Sequence, residues 1–491
     1  MIEIGDGSFL LSTNHTSLLM RVTPHGHAEL VHYGVRISAD DAAALAVKRD
    51  IASGCAVNYS AEDPNYCLDL VPLVWSGTGR GDFRESPLEW HTAAGEASDF
   101  RYAGHELLDG TVSAAPLPQA RGGEKTLLLT MADETAGAEL SLLFTVFPEE
   151  DVITRRTVLR NKGSADITLR KLMSATLDLV GAYELTGFHG AWIAETHREK
   201  TTVGSARCVN ESVTGFSSNK HNPGFLLSEP EAGQDHGRVY GFNLIWSGNH
   251  YASAQRSHEG LTRVMQGVSP ADFSRLLAPG ECFSAPEAVM SFSDRGFNGL
   301  SAHMHDFVNR RIVPPYWQGR ERPVLYNSWE GCYFDFNEKR LLDLGRKAAK
   351  LGCELFVLDD GWFGARNDDT AGLGDYEVNK KLPNGLNGLA SRLKALGLDF
   401  GLWFEPEAVN PDSDLYRAHP DWCLRVPGRE DITSRHQLTL DMGRRDVQDV
   451  VVEAVSRTLR ESGASYLKWD MNRNFTNIGS PALPPERQGE V

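Results

Sequence analysis

The run Lys468-Trp469-Asp470-Met471-Asn472-Arg473 sets a lysine, a carboxylate and an amide at alternate positions. On a strand, residues two apart project to one side, so Lys468 and Asp470 share a face. A neighbouring ammonium favours the ionised form of a carboxylate and can also hold a hydroxyl. That is half of what cleavage at a sugar's anomeric carbon needs: one ionised carboxylate beside C1, and a second, protonated one by the leaving oxygen. Asp470 suits the first role. The adjacent pair Asp359-Asp360 can take hydroxyl pairs. Trp329, Trp362, Trp403 and Trp469 offer indole faces of the kind on which the C–H face of a pyranose packs. Taken singly, each signal has a structural alternative. Asp359-Asp360 could bind a metal or cap a helix, Trp362 or Trp403 could be core, and Lys468 and Asp470 could be a plain ion pair. Glu405 and Glu407 flank a proline, and one could simply pin the loop.

What unites these residues is where they fall. From about residue 323 the chain alternates strand and helix signals. The strands are Pro323–Trp329, Cys353–Asp360, Asp399–Phe404, a short one near Leu438–Leu440, and Tyr466–Trp469; the helices are Glu338–Leu351, Gly385–Leu396 and Val447–Ser462. Repeated β-α units predict parallel strands with helices outside. In a β/α barrel the chemistry lies at the C-terminal strand ends. Asn327-Ser328-Trp329-Glu330, Asp359-Asp360-Gly361-Trp362, Trp403-Phe404-Glu405-Pro406-Glu407 and Lys468–Arg473 all stand there. A barrel needs eight units and about five are counted, so the barrel is expected to be incomplete, with the chain cut off inside a domain.

Before residue 300 the pattern differs. Short apolar or alternating runs, such as 126–130, 140–146, 239–246 and 288–292, are broken by Gly, Asp, Asn and Pro, as in a large antiparallel sandwich. The expected layout is a β domain over 1–299, a helical linker over 300–322 whose helix Leu300–Arg311 is followed by the break at Pro314-Pro315, and a catalytic β/α domain over 323–491 truncated after about strand five. A chain of 491 residues is too long for one core. Its net charge of −17, with no basic cluster, excludes a duplex nucleic-acid binder. The start carries no basic n-region, and no run approaches the roughly 20 apolar residues of a membrane span. Seven scattered cysteines without a C-x-x-C pair predict reduced thiols, a cytoplasmic location and no zinc site. No cofactor or metal is expected, because the carboxylates lack accompanying His or Cys ligands.

These strings resemble the bacterial retaining α-galactosidases, or melibiases, of glycoside hydrolase family 36, over essentially the whole chain. The matching segments include Asn327–Glu330, Leu358–Gly364, Phe400–Glu407, His419–Trp422 and, most diagnostic, Lys468–Arg473. Gly81–Arg84, Gly190–Trp192 and Pro286–Glu287 match more loosely. The resemblance implies a β-supersandwich, then a (β/α)8 barrel, then a small C-terminal β domain. It implies Asp470 as nucleophile, and galactose contacts at Asp359, Asp360, Trp403, Arg435, Lys468 and Asn472. Trp192 and, by a weaker match, Asp50 correspond to sandwich positions that approach the site; Trp329, at a strand end, joins the substrate-binding candidates. The family's acid/base Asp is expected beyond Val491, which would leave these 491 residues inactive alone. Family members are often tetramers, with neighbouring subunits contributing to the pocket. The expected activity is hydrolysis of terminal α-galactosyl residues from oligosaccharides such as melibiose and raffinose. The alternatives are an α-N-acetylgalactosaminidase, a galactosyl-transferring enzyme, or a non-catalytic galactose-binding module.

Overall fold

Every second side chain of Lys125–Asp133 and Ala138–Phe147 enters a core: Leu127, Leu129 and Met131 from the first, Leu140, Leu142 and Phe144 from the second. That period of two commits both runs to strands of a sheet with a buried face. In a computed structural model, which describes residues 1–45, 57–218 and 220–491, they pair antiparallel from Lys125–Val146 to Asp133–Ala138. They belong to a ten-stranded sheet that ends in the hairpin Glu184–Ala191 and Ala194–Thr202. A six-stranded sheet built on Ile167–Val180 and a four-stranded sheet within Ile2–Val35 complete the layers. One continuous core, including Phe9, Leu127, Phe144, Leu177, Phe242 and Val264, draws side chains from all three sheets. This is the expected antiparallel β domain.

Its interior also holds charge. Arg263, on Leu261–Val268, donates through Nε to Asp178 Oδ1 (2.7 Å) and through Nη2 to Asp178 Oδ2 and Asp82 Oδ2 (2.8 Å each). Arg84 reaches the same carboxylates at 2.7 and 2.9 Å. The loop segment Gly81–Arg84 is thereby bolted to the sheet. Burial pushes the Asp82 carboxyl up, but Arg263 and Arg84 outweigh it and hold it at about 2.

The chain divides into two compact units, residues 1–318 and 319–491. The segment expected as a linker over 300–322 is a correction. Its helix begins at Gly296, runs to Phe307 and widens into a π turn over Val308–Ile312. Gly299, Leu300, His303 and Phe307 are buried, with Phe307 packed beside Phe147, Val152 and Val289 of the first unit. An apolar helical face needs cover, and the sheet of the first unit supplies it.

In the second unit, Leu325–Asn327, Leu355–Leu358, Asp399–Phe404 and Tyr466–Trp469 form a parallel sheet in that order. Leu355–Leu358 is buried throughout, as a strand covered on both faces must be. The helices between them are Glu338–Lys350, Gly385–Lys394 and Arg445–Ser462. The first starts where the Asn337 side chain accepts the Arg340 N–H at 3.0 Å. The last buries Val447, Val451, Val455, Thr458 and Ser462, one stripe at helical spacing, and stops at Gly463 with φ of 70°.

The count of parallel strands differs from expectation: four, not about five. Leu438–Thr439 does not join the sheet but pairs antiparallel with Ala408–Val409. Left-handed Arg435 and His436 turn the chain just before it, and Leu440 N–H donates to Glu407 O at 2.9 Å, so these residues fold back onto the loop after the third strand. Asp470 therefore follows the fourth parallel strand.

The charge cluster has a measurable consequence. A carboxyl whose folded pKa lies below its unfolded value contributes stability above the unfolded value, about 4, and loses it as pH falls through the folded one. Asp82 should thus contribute roughly 2–3 kcal/mol above pH 4 that vanishes toward pH 2. Urea unfolding across that window is expected to give a steep acid limb for the parent protein and a flatter one for Asp82→Asn.

Candidate active site

Parallel register sets the strand ends side by side: Asn327 against Val357, Val357 against Gly401, and Trp403 against Lys468. Lys468 extends between two carboxylates, its Nζ 3.0 Å from Asp359 Oδ2 and 3.7 Å from Asp470 Oδ2. Burial works against its charge, but the carboxylates, Asp359 foremost, outweigh it and raise the ammonium above the ordinary lysine range. Asn327 adds a 2.6 Å hydrogen bond to Asp359 Oδ2, and the Asp360 N–H donates to Asp359 Oδ1 at 2.9 Å.

Asp470 is held asymmetrically. Its Oδ2 accepts from Trp403 Nε1 at 2.8 Å and Asn472 Nδ2 at 2.9 Å, besides facing Lys468. Oδ1 accepts the Met471 N–H at 3.1 Å. The side chain is 27% exposed, so one oxygen is anchored while the carboxylate stays open to an incoming molecule.

Asp360 does something different from its neighbour. It is buried, and the fully buried Arg366 grips both its oxygens, Nε to Oδ1 at 2.9 Å and Nη2 to Oδ2 at 2.8 Å. Burial raises its carboxyl above the usual range; Arg366 opposes this and Asp359 adds to it. Arg366 continues to Asn410 Oδ1 at 3.0 Å, and its guanidinium lies over the Phe334 ring at 5.6 Å. The turn between Asp360 and Trp362 needs glycine: Gly361 has φ of 103°, and a Cβ there would meet Phe334 at 2.9 Å. Asp359 is thus paired with Lys468, and Asp360 with Arg366.

Trp403 was expected to offer an indole face. The ring is 2% exposed and lies parallel to Phe363 at 6.2 Å; what it contributes is its N–H edge, directed at Asp470. Trp362 lies beneath, donating to the Trp403 carbonyl at 3.0 Å. Trp329 opens a short helical turn, half-buried, its ring edge-on to Tyr333 and Phe334. Arg435, with φ of 51°, has Nε 3.9 Å from Asp369 Oδ2, and its charge opposes the burial that raises the carboxyls of Asp360 and Glu405. Asn472 is exposed. In the first unit, Trp192 stands at the tip of the Glu184–Thr202 hairpin, 82% exposed beside Ile193 at 73%. Asp50 lies outside the described residues.

Sequence reasoning missed Arg366, Asn410 and Gln437, and saw Glu405 merely as a possible loop pin. All four are fully buried polar side chains. Their signal, a charged or amide residue with no apolar period to explain it, is too weak to read without knowing the partners.

This constellation of paired carboxylates, lysine and indole at parallel strand ends is that of a glycoside hydrolase, and the chain belongs to glycoside hydrolase family 36. Residues 26–278 match the family 36 N-terminal domain, and residues 282–491 match Melibiase. The chain is 40% identical over 490 residues to α-galactosidase AgaA of Geobacillus stearothermophilus, covering 98% of this chain and 67% of that protein. It is 37% identical over 477 residues to the bifunctional α-galactosidase/sucrose kinase AgaSK of Mediterraneibacter gnavus, covering 96% and 51%. A crystal structure of an AgaA variant in complex with raffinose superimposes with a TM-score of 0.94 at 39% identity, covering 98% of this chain and 68% of that one. The chain thus spans between half and about two thirds of the length of these relatives.

The Asp360–Arg366 pair can be tested by itself. Arg366→Leu leaves a buried carboxylate uncompensated and is expected to cost about 3–5 kcal/mol. Asp360→Leu combined with it should recover most of that loss, as read by denaturant unfolding.

Proposed function

We propose that the protein is a retaining α-galactosidase that removes terminal α-galactosyl residues from melibiose- and raffinose-type oligosaccharides. Membership of the family supports it, as does the raffinose complex of AgaA. The observation that carries the reading is the asymmetric grip on Asp470: Oδ2 is fixed by Trp403, Asn472 and Lys468, while Oδ1 has the Met471 N–H. A nucleophile needs this, because orientation is worth several kcal/mol of barrier and both oxygens cannot be tied down.

In this mechanism Asp470 Oδ1 attacks the anomeric carbon opposite the glycosidic bond. The C1–O bond to the leaving sugar breaks and a β-galactosyl ester forms. Water then attacks C1 while giving its proton to the second carboxyl, by then ionised; the ester bond breaks, and galactose leaves with its configuration retained. Lys468, Asp359 and Asp360 receive ring hydroxyls, Asn472 and Arg435 complete the rim, and Trp329 lines it. Protonation of the leaving oxygen requires a second carboxyl. The resemblance to family 36 implies a separate aspartate for that role. We infer that the acid/base carboxyl comes from outside these 491 residues, that the four parallel strands are part of a (β/α)8 barrel, and that these residues alone do not hydrolyse ordinary galactosides.

The six described cysteines are free, which favours a reducing, cytoplasmic location. The exposed Trp192–Ile193 tip favours a homo-oligomer in which the hairpin of one copy approaches the pocket of another. Sedimentation of the complete gene product as a monomer would overturn that part.

Fluoride leaves with little help from an acid, so an activated 2-deoxy-2-fluoro-galactosyl fluoride should label these residues even without the second carboxyl. Mass spectrometry is expected to find the adduct on the peptide containing Asp470; an adduct on any other peptide refutes the assignment. In the complete gene product, Asp470→Ala should lower turnover of an aryl α-galactoside on the order of 10⁴–10⁶-fold. Azide, taking the place of the missing carboxylate, should yield β-galactosyl azide.

A further inference from the structure

Asp470 and Arg435 lie on separate loops, and Arg435 sits on strained backbone. It and His436 have φ of 51° and 58°, a left-handed conformation that non-glycine residues adopt only when their surroundings hold it. Something must hold that kink. The Asn410 side chain donates to the His436 carbonyl at 2.7 Å, and Arg473 donates to the Gln437 carbonyl. The third tie runs through a side chain: Gln437 Nε2 donates to Glu405 Oε2 at 3.0 Å.

The other oxygen of the same carboxylate faces the nucleophile loop. Glu405 Oε1 accepts the Asn472 backbone N–H at 2.6 Å, and the Asn472 side chain donates to Asp470 Oδ2 at 2.9 Å. Glu405 directly follows the strand Asp399–Phe404, whose Trp403 makes the other side-chain hydrogen bond to Asp470 Oδ2. Both Glu405 and Gln437 are fully buried, so neither meets substrate. Burial raises the Glu405 carboxyl against the pull of the Asn472 N–H, and Asp470 adds to the rise while Arg435 opposes it. Arg473 and Tyr376 also lie within its field.

We propose that Glu405 is a positioning residue which, by accepting from Asn472 with one oxygen and Gln437 with the other, sets Asp470 and Arg435 relative to each other. The inference rests on the reading of Asp470 as nucleophile. It goes beyond a loop pin because the two arms predict different kinetic effects. The Asn472 arm governs attack and so kcat; the Gln437 arm governs the loop carrying Arg435 and so KM.

Gln437 Oε1 has no hydrogen-bond partner among the described residues. Glu405→Gln can therefore keep both ties: the new amide oxygen accepts the Asn472 N–H, and its NH2 donates to Gln437 Oε1 once that amide turns over. Glu405→Asp, one methylene shorter, cannot span both. In the complete gene product with an aryl α-galactoside, Glu405→Gln is expected to stay within about tenfold of the parent kcat. Glu405→Asp and Glu405→Ala should lower kcat by about 10²-fold, the scale on which ångström misplacement acts. Gln437→Ala should raise KM several-fold with kcat changed less than threefold.

The proposal is overturned if Glu405→Asp turns over like the parent, if Glu405→Gln is as impaired as Glu405→Asp, or if Gln437→Ala lowers kcat without moving KM. Should Glu405→Ala fail to fold, the Asp, Gln and Gln437 variants carry the test. Fluorosugar labelling of the parent separates the two readings. An adduct away from Asp470 sinks the nucleophile assignment. An adduct on Asp470 with a parent-like rate in Glu405→Asp sinks this one alone.

Discussion

Two carboxylates meet at one mouth of a parallel sheet, and a single ammonium stands between them. Lys468 Nζ lies 3.0 Å from Asp359 Oδ2 and 3.7 Å from Asp470 Oδ2, so one cation holds the ends of two strands together. With it, each carboxylate has a cation at hand, and the part-exposed Asp470 keeps room for an incoming molecule. The surrounding arrangement follows from that demand. Trp403 offers its N–H edge to Asp470, Asn327 and the Asp360 amide complete Asp359, and the strand register puts Lys468 opposite Trp403.

Behind this front lies a second tier of buried charged and polar groups that hold one another. Asp360 has Arg366, Arg366 has Asn410, and Asn410 holds the carbonyl of His436. Glu405 ties the loop after the fourth strand to the one carrying Arg435. Removing either partner of such a pair is costlier than the pair is worth, so these residues act chiefly by fixing geometry. The first unit uses the same device away from any strand-end site, with Asp82, Asp178, Arg84 and Arg263 fastening a loop to a sheet. Buried ion networks here serve specificity of shape in both units.

Much of the architecture was legible beforehand. Strands with one buried face, such as 126–130 and 140–146, declared themselves by alternation, and helices such as Arg445–Ser462 by their apolar stripe. Both signals come from local geometry, which places side chains at periods of 2 and 3.6 whatever the partner. Two expectations failed where locality fails. The helix at Gly296–Phe307 proved part of the first unit because its apolar face found a sheet, and Leu438–Thr439 left the parallel sheet because left-handed residues turn it back onto Ala408–Val409.

The chain by itself determined which residues could carry the chemistry. Asp470 beside Lys468, the Asp359-Asp360 pair and the strand-end tryptophans follow from spacing along strands, a property of the covalent chain. Tertiary structure decided what each one does. It sent the Trp403 N–H to the nucleophile candidate, gave Asp360 to a buried arginine and left Asp359 with the lysine. It also joined Glu405 to Gln437 and Asn472. Those partners lie tens of residues apart, and a hydrogen bond depends on where two groups meet in space, which no local period encodes.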